Sequence, residues 1–428
     1  MIIRHFRWYV AGLIFLATVI NYIDRQALAV VAPAIRKDLH MSNTDFGNVA
    51  TLFLLGYTIS QLLSGKIVDR IGTRLGFSFF ITFWSVAAML HAWARSTFSL
   101  GGFRLLLGLG EAGNWPAAAK AIAEWFPARE RAFAMSIFNG GAVLGAVFAP
   151  PLVVAITLRH GWQTAFLITG TLGFLWLLVW LFVYRPAQNH PWLSAQEREL
   201  IAAGRAEIVD SDQSAGWSEL FRCRQVWGLI LCRFLTDPIW WLYIVWLPGY
   251  LHDARGFSLK EIGYFAWVPF LFADIGNMLG GGISSYLIKR GWNVSAARKV
   301  VMYPSAALMS AGIAATKVES PVAAIALICV VTFAFQSWII NVITLPSDLF
   351  PSRWVGSVAG IGGFGAGIGA MLFTLATGPV VDRFSYAPIF IAAGIMGPLG
   401  AVALASLVGK IEPVPQKILP LGATGWRA

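Results

Sequence analysis

Apolar stretches long enough to cross a bilayer follow one another along nearly the whole chain, and few folds can keep so many of them in water. Twelve are placed approximately at 8–34, 45–65, 74–93, 98–121, 131–157, 162–184, 225–252, 259–286, 297–316, 321–347, 356–378 and 385–409. About 20 apolar residues suffice for a helix to span the hydrocarbon core. A helix also satisfies its own backbone polar groups without water. The composition agrees, since 57% of residues are hydrophobic and 12% charged, whereas soluble domains average about 25% charged. The expectation is an all-α integral membrane protein with twelve transmembrane helices, solvated by lipid and not an enzyme of the cytoplasm.

A net charge of +11 would suit nucleic acid, but its distribution excludes that partner. With both termini and the even-numbered loops on one side, that side holds 21 of the 32 Lys and Arg, the other holds eight, and Arg25, Arg104 and Arg233 fall within spans. By the positive-inside rule the basic side is cytoplasmic, so the basicity is topological. Arg4, Arg7 and the apolar run from Trp8 imitate a signal peptide, yet no small-x-small cleavage site precedes Asp24. The run is expected to be an uncleaved first span. Cys223, Cys232 and Cys329 have no metal-like spacing and make no disulfide framework, and all six histidines fall in loops or near span ends. No metal site, catalytic residue or cofactor is expected.

The chain is written twice. Phe126-Pro127-Ala128-Arg129 ends the fourth span, and Phe350-Pro351-Ser352-Arg353 ends the tenth, 224 residues later. The same offset pairs Gly145 with Gly369, Trp162 with Tyr386, Phe166 with Phe390 and Gly170 with Gly394. Internal repeats of this kind are how transporters build a site from two bundles. The expected organisation is an N-terminal six-helix bundle over 1–185, a cytoplasmic linker over 186–222, a C-terminal six-helix bundle over 223–410 and a cytoplasmic tail over 411–428. In the linker, Ser194 and Glu197 have capping-box spacing and open an amphipathic stretch. It is either a solvated connector or a regulatory element.

Asp24 and Arg25 lie inside the first span, and Arg104 and Glu111 inside the fourth. Ionised groups at membrane depth cost kilocalories and mark substrate or proton paths. Arg104 and Glu111 are seven apart, so they share a helix face, separated by roughly 10 Å along the axis. Burial raises a carboxyl's pKa while a nearby Arg lowers it. An incoming carboxylate that claims the Arg would tip that balance and couple anion binding to protonation. The other reading is a static ion pair between spans one and four.

The loop Gly65-Lys66-Ile67-Val68-Asp69-Arg70-Ile71-Gly72-Thr73-Arg74 matches the G-x-x-x-D-R-x-G-x-R signature of the major facilitator superfamily, and the chain resembles that family throughout. The resemblance implies two six-helix bundles working by alternating access. It makes this loop a cytoplasmic gate in which Gly65, Asp69, Arg70, Gly72 and Arg74 take part, with Asp69 facing a helix N-terminus or an Arg of the neighbouring bundle. Asn21-Tyr22-Ile23-Asp24-Arg25, Arg104 with Gly108-Leu109-Gly110-Glu111-Ala112, Trp125-Phe126-Pro127 and Phe138-Asn139-Gly140-Gly141 resemble the anion:cation symporter branch. That likeness implies protonation at Asp24 and Glu111, with Arg104 partnering Glu111, and substrate contacts from Arg25, Tyr57 and Tyr22. The match is fuller to bacterial hexuronate transporters, through Arg7-Trp8-Tyr9, Arg233-Phe234-Leu235, Phe265-Ala266-Trp267 and Leu271-Phe272-Ala273-Asp274-Ile275-Gly276. Two polar positions that line the sugar site in aldonate carriers are Ala142 and Gly363 here.

Second-half candidates for sugar contact are Trp241 and Tyr243, whose faces suit a sugar ring or an interfacial belt. Gln336 and Asn341 are rare amides at depth, equally suited to interhelical bonding, and Asn139 of the fifth span is a further candidate. Arg233, Asp237 and Asp274 sit near span ends, where a structural ion pair or gate is expected. Gly363, Gly365, Gly367 and Gly369 lie in an apolar helix with no preceding strand, so they pack helices rather than cradle a phosphate.

These features together lead to a proton symporter importing a hexuronate, galacturonate or glucuronate, in a bacterial inner membrane, monomeric and with cytoplasmic termini. An aldonate or other small organic anion is the alternative substrate. An organic phosphate exchanger, an efflux antiporter, a multispan transferase and a passive receptor fit less of the charged set.

Overall fold

The computed structural model describes residues 5–206, 220–350 and 352–414. The second part of the linker, 207–219, together with Pro351 and the tail from 415, lies outside the described residues. Helices make up most of what is described: α1 (Phe6–Asp38), α2 (Asn43–Ile71), α3 (Thr73–Leu90), α4 (Thr97–Glu111), α5 (Asn114–Trp125), α6 (Ala128–His160), α7 (Trp162–Val183) and α8 (Ala195–Ala206). They continue as α9 (Arg224–Asp253), α10 (Leu259–Phe265), α11 (Val268–Lys289), α12 (Val294–Leu308), α13 (Ala311–Ala315), α14 (Pro321–Val342), α15 (Leu345–Leu349), α16 (Ser352–Arg383) and α17 (Ala387–Leu407).

The fold is all-α, and among the described residues nine segments are long and apolar enough to cross a membrane, or ten if α2, bent by 49°, counts as one. The other two expected spans are each divided. The segment at 98–121 breaks between α4 and α5, and the one at 297–316 breaks between α12 and α13. Ser42 with Asp45, Ser96 with Ser99, and Ser258 with Glu261 form reciprocal caps at the starts of α2, α4 and α10, satisfying N–H groups that a helix start leaves without partners.

The chain packs as two compact units, Met1–Asp210 with Val245–Trp267, and Ser211–Ile244 with Val268–Ala428. In the first, α1 packs on α6, α2 on α4, and α3 on α7. The last turns of α9 and all of α10 belong to this unit. There α10 packs on α6, Trp246 meets the Phe46 ring edge-on at 5.4 Å, and Arg36 Nη1 donates to Asp253 at 2.6 Å. In the second unit α11 and α12 pack on α14, and α13 packs on α17.

The sequence repeat is also a packing repeat. A Cβ added at Gly141 or Gly145 of α6 would lie 2.6 Å from the carbonyl oxygen of Phe15 or Val19 on α1. At Gly365 and Gly369 of α16 it would lie 3.1 and 2.2 Å from the carbonyl oxygens of Ile230 and Phe234 on α9. Each contact recurs 224 residues on along the sixth helix and 215 on along the first. The Ser96 cap of α4 likewise recurs as the Ser320 cap of α14.

The Ser194–Glu197 capping box forms only by half. Glu197 N–H donates to Ser194 Oγ at 3.2 Å, but the Glu197 carboxylate turns to α1. It accepts from the Phe6 and Arg7 backbone N–H groups at 3.1 and 3.2 Å and from Arg7 Nη1 at 2.8 Å. The linker thus caps the first helix, at the end where the helix dipole favours an anion. Arg7 also donates to Glu130 at 2.7 Å, and His190 packs between the rings of Phe6, Trp125 and Trp192.

Candidate functional site

The charged residues of α1 and α4 meet in one buried cluster of the first unit. Arg25 Nε donates to Glu111 Oε2 at 2.8 Å, with side chains 3% and 0% exposed. Its Nη2 donates to Asn21 Oδ1 at 3.3 Å, one turn away on the same helix. The guanidinium lies 4.6 Å from the Tyr22 ring centre, 4.8 Å from that of Tyr57 and 5.4 Å from that of Phe53, an arrangement that stabilises a desolvated cation. Gly108 lets α4 reach this position, because a Cβ there would lie 2.2 Å from the Phe53 carbonyl oxygen on α2.

Arg104 and Glu111 attract each other electrostatically but share no hydrogen bond. Arg104 Nη2 donates instead to the Arg25 carbonyl oxygen at 2.7 Å, and its guanidinium sits 4.8 Å from the Phe53 ring centre. Its Nε and Nη1 make no hydrogen bond, and neither do Glu111 Oε1 and both Asp24 carboxylate oxygens. The seven-residue spacing does put Arg104 and Glu111 on one face, but a guanidinium from α1 takes the hydrogen bond to Glu111. Asp24 is fully buried and faces the Thr169 hydroxyl of α7, with the charges of Glu111 and Arg104 also acting on it. The arrangement can therefore bind one carboxylate on Arg25, provided that Glu111 gives it up.

The remaining candidates separate. Tyr22 and Tyr57 border Arg25, whereas Asn139 is exposed on α6 and is not part of the cluster. In the second unit Tyr243 is 1% exposed and meets the Phe390 ring edge-on at 5.9 Å, while Trp241 and Gln336 are half-buried. Asn341 is engaged within the unit. It donates to the Gly280 and Ser337 carbonyl oxygens and accepts from Arg298 at 3.2 Å, and Arg298 is itself paired with Asp348 at 3.0 Å. This is interhelical bonding, one of the two readings open to a buried amide. Arg233 and Asp237 form an i,i+4 ion pair at 2.8 Å, with Gly362 and Gly363 against the Arg233 side chain.

In the gate loop, Asp69 pairs with Lys120 of α5 at 2.8 Å, not with a helix N-terminus or an arginine. Arg70 is exposed, Gly65 half-buried, and Arg74 donates to the Leu181 carbonyl. Gly72 joins α2 to α3 at φ +82°, a conformation that disfavours any side chain. Lys120, Thr169 and Arg298 were not legible as site or network residues, since their partners lie on other helices, whereas Asn21 meets Arg25 one turn along the same helix. His91, near a span end in the sequence, is 0% exposed.

A family model described as Major Facilitator Superfamily matches residues 14–374. The chain is 36% identical over 406 residues to the hexuronate transporter of Escherichia coli (strain K12), covering 94% of each. It is 39% identical over 311 residues to the galacturonate transporter of Dickeya chrysanthemi, covering 72% of this chain and 90% of that one. Its fold is similar to the crystal structure of a bacterial homologue of the human lysosomal transporter Spinster in an inward-facing, unoccupied conformation. The TM-score is 0.77 at 18% identity, over 98% of this chain and 100% of that one.

Proposed function

The chain belongs to the Major Facilitator Superfamily, a family of transporters rather than enzymes, and on that premise we propose that it imports a hexuronate together with protons by alternating access. Galacturonate and glucuronate are the substrates that fit the similarity to hexuronate and galacturonate transporters. The protein would act in a bacterial inner membrane, as a monomer with cytoplasmic termini, the side on which Lys and Arg concentrate.

One observation carries the reading: Arg25 is buried, ringed by Tyr22, Tyr57 and Phe53, and held by Glu111 at 2.8 Å. A sugar carboxylate that takes Arg25 must displace Glu111, which is then a buried carboxylate without its cation. Such a group is strongly disfavoured in ionised form and takes up a proton. Release of the anion returns Arg25 to Glu111 and expels the proton. Binding of anion and proton are thereby linked, each raising the affinity for the other. Asp24, fully buried beside Arg104, supplies a second protonation site, and Arg104 holds the α1 backbone at Arg25 in place.

The test is uptake of labelled galacturonate by proteoliposomes under an imposed inward proton gradient, with and without uncoupler. Uncoupler-sensitive accumulation competed by glucuronate establishes the reading. Accumulation competed by galactonate and not by glucuronate transfers it to an aldonate, and uptake indifferent to the gradient removes the coupling roles of Asp24 and Glu111.

A further inference from the structure

Polar atoms without a hydrogen-bond partner lie on both sides of Asp24: Arg104 Nε and Nη1 and Glu111 Oε1 toward α4, and a second group toward α7. Both Asp24 carboxylate oxygens, Ser85 Oγ of α3, His91 Nε2 of the 3-10 turn His91–Trp93 that continues it, and Thr169 Oγ1 of α7 are buried and without a hydrogen-bond partner. All four residues are 0% exposed. Native interiors leave few such atoms unpaired, and ordered water commonly supplies the missing partner where polar groups cluster.

The four residues occupy one seam. The α3 segment and α7 run antiparallel: His91 stacks on Phe166, ring centres 4.9 Å apart and planes 19° from parallel, while Ser85 Oγ faces Gly173, where a Cβ would lie 1.9 Å away. Thr169 lies between those two positions, three residues from Phe166 and four from Gly173, on the same face of α7. Its hydroxyl faces Asp24. His91 Nδ1 lies 2.8 Å from the Ala87 carbonyl oxygen, which fixes Nδ1 as the donor and leaves Nε2 as an acceptor.

Asp24 and Arg25 are successive on α1 and so point about 100° apart. Arg25 turns to Glu111 on α4, and to Phe53 and Tyr57 on α2, and Asp24 turns to α7. The acid is therefore served from a side that none of the proposed sugar-acid contacts occupies.

We propose that Ser85, His91 and Thr169 hold a line of ordered water between α3 and α7 that carries protons to and from Asp24, apart from the residues that bind the sugar acid. Each passage moves one proton along hydrogen bonds onto an Asp24 carboxylate oxygen, and no group is oxidised or reduced. His91 and Thr169 act as positioning residues for that water. The proposal rests on proton coupling at Asp24.

Thr169→Val removes the hydroxyl at constant shape, Thr169→Ser keeps it, and His91→Phe keeps the stack on Phe166 without the ring nitrogens. The measurements are proton-driven galacturonate uptake and galacturonate exchange at equal pH on both sides, in proteoliposomes, beside the unaltered protein. Thr169→Val and His91→Phe are expected to slow proton-driven uptake about tenfold or more and exchange by less than about twofold, with Thr169→Ser near the parent. Equal losses in uptake and exchange, or a Thr169→Ser variant slower than Thr169→Val, would mean a packing role and overturn the seam. Parent-like uptake in Thr169→Val overturns it too, while the coupling of the parent stands. If the parent itself accumulates galacturonate regardless of uncoupler, the coupling reading falls first and the seam with it.

Discussion

The indole of Trp240 lies flat on the ring of Phe335, centres 5.7 Å apart and planes 8° from parallel, at the positions where the first half of the chain sets Arg25 against Glu111. The offsets of the packing repeat, 215 along the first helix and 224 along the fourth, carry Arg25 to Trp240 and Glu111 to Phe335. The duplication kept the close helix contacts and let the chemistry of this pair diverge. An apolar stack needs none of the desolvation that a buried ion pair carries, and replacing such pairs by packed apolar groups is often neutral or stabilising.

The aromatic pair is accordingly expected to contribute packing. Trp240→Phe should cost less than about 1.5 kcal/mol, and Trp240→Ala about 3 kcal/mol or more. Thermal unfolding of the purified protein in detergent reads both, and equal midpoints for the two variants would contradict a packing role.

The ion pair is expected to behave otherwise. Glu111→Gln leaves Arg25 a neutral partner of similar shape, so proton-driven accumulation should vanish while binding and exchange of galacturonate persist. Arg25→Ala strands Glu111 and removes the anion contact, which should abolish binding and cost about 3–5 kcal/mol of stability if Glu111 remains ionised. Concentrative uptake at the parent level in Glu111→Gln would end the coupling argument.

The fold was legible in the sequence because membrane burial imposes long apolar runs, and because duplication left Phe-Pro and glycine positions at a constant offset. The charged residues of the site were legible for a related reason: Asp24, Arg25, Arg104 and Glu111 are too costly at depth to be incidental. Their partners were not legible. Spacing along one helix places Arg104 and Glu111 on a common face but says nothing of the distance from Arg25 on another helix, and the 2.8 Å contact decides the matter. Asp69 finds Lys120, 51 residues away, for the same reason. The union of Val245–Trp267 with the first unit rests on tertiary contacts such as Phe46 with Trp246, which no local pattern announces.

The repeated glycines should be intolerant of a single methyl group. Gly145→Ala and Gly369→Ala each place a Cβ within 2.6 Å of a backbone carbonyl oxygen on the neighbouring helix, so the helices must part. A loss of about 1–3 kcal/mol is expected for each. Gly12 of α1 has nothing within 4 Å of an added Cβ, and Gly12→Ala should be neutral or slightly stabilising through helix propensity. Thermal midpoints of the three variants, compared side by side, check the contrast.

Docking of the linker should weaken in acid. Burial holds the His190 ring below the usual histidine pKa, with Arg185 and Arg198 adding to the effect. Above about pH 6.5 the ring is neutral whether docked or free; below it, the free ring takes a proton that the docked ring refuses, so docking loses stability as pH falls. Hydrogen exchange of the α8 amides, corrected for intrinsic pH dependence, should be faster at pH 5.5 than at pH 7.5. In His190→Phe the difference should disappear.

The last contact with a measurable consequence ties the end of α9 to α1. Arg36 donates to Asp253 at 2.6 Å, with side chains 17% and 26% exposed, and His252 also meets Asp253, at 2.9 Å. This partial exposure places the pair between a surface bridge and a buried one, so a double-mutant cycle on Arg36→Ala and Asp253→Ala should give a coupling of about 1–2 kcal/mol. The exchanged variant, Arg36→Asp with Asp253→Arg, restores opposite charges at the two positions and should recover most of that stability, with His252 then facing a cation and limiting the recovery. A coupling near zero would mean that apolar packing, Phe46 on Trp246 and α10 on α6, holds residues 245–267 within the first unit. In that case Phe46→Ala, rather than the charge variants, would loosen the segment in hydrogen exchange.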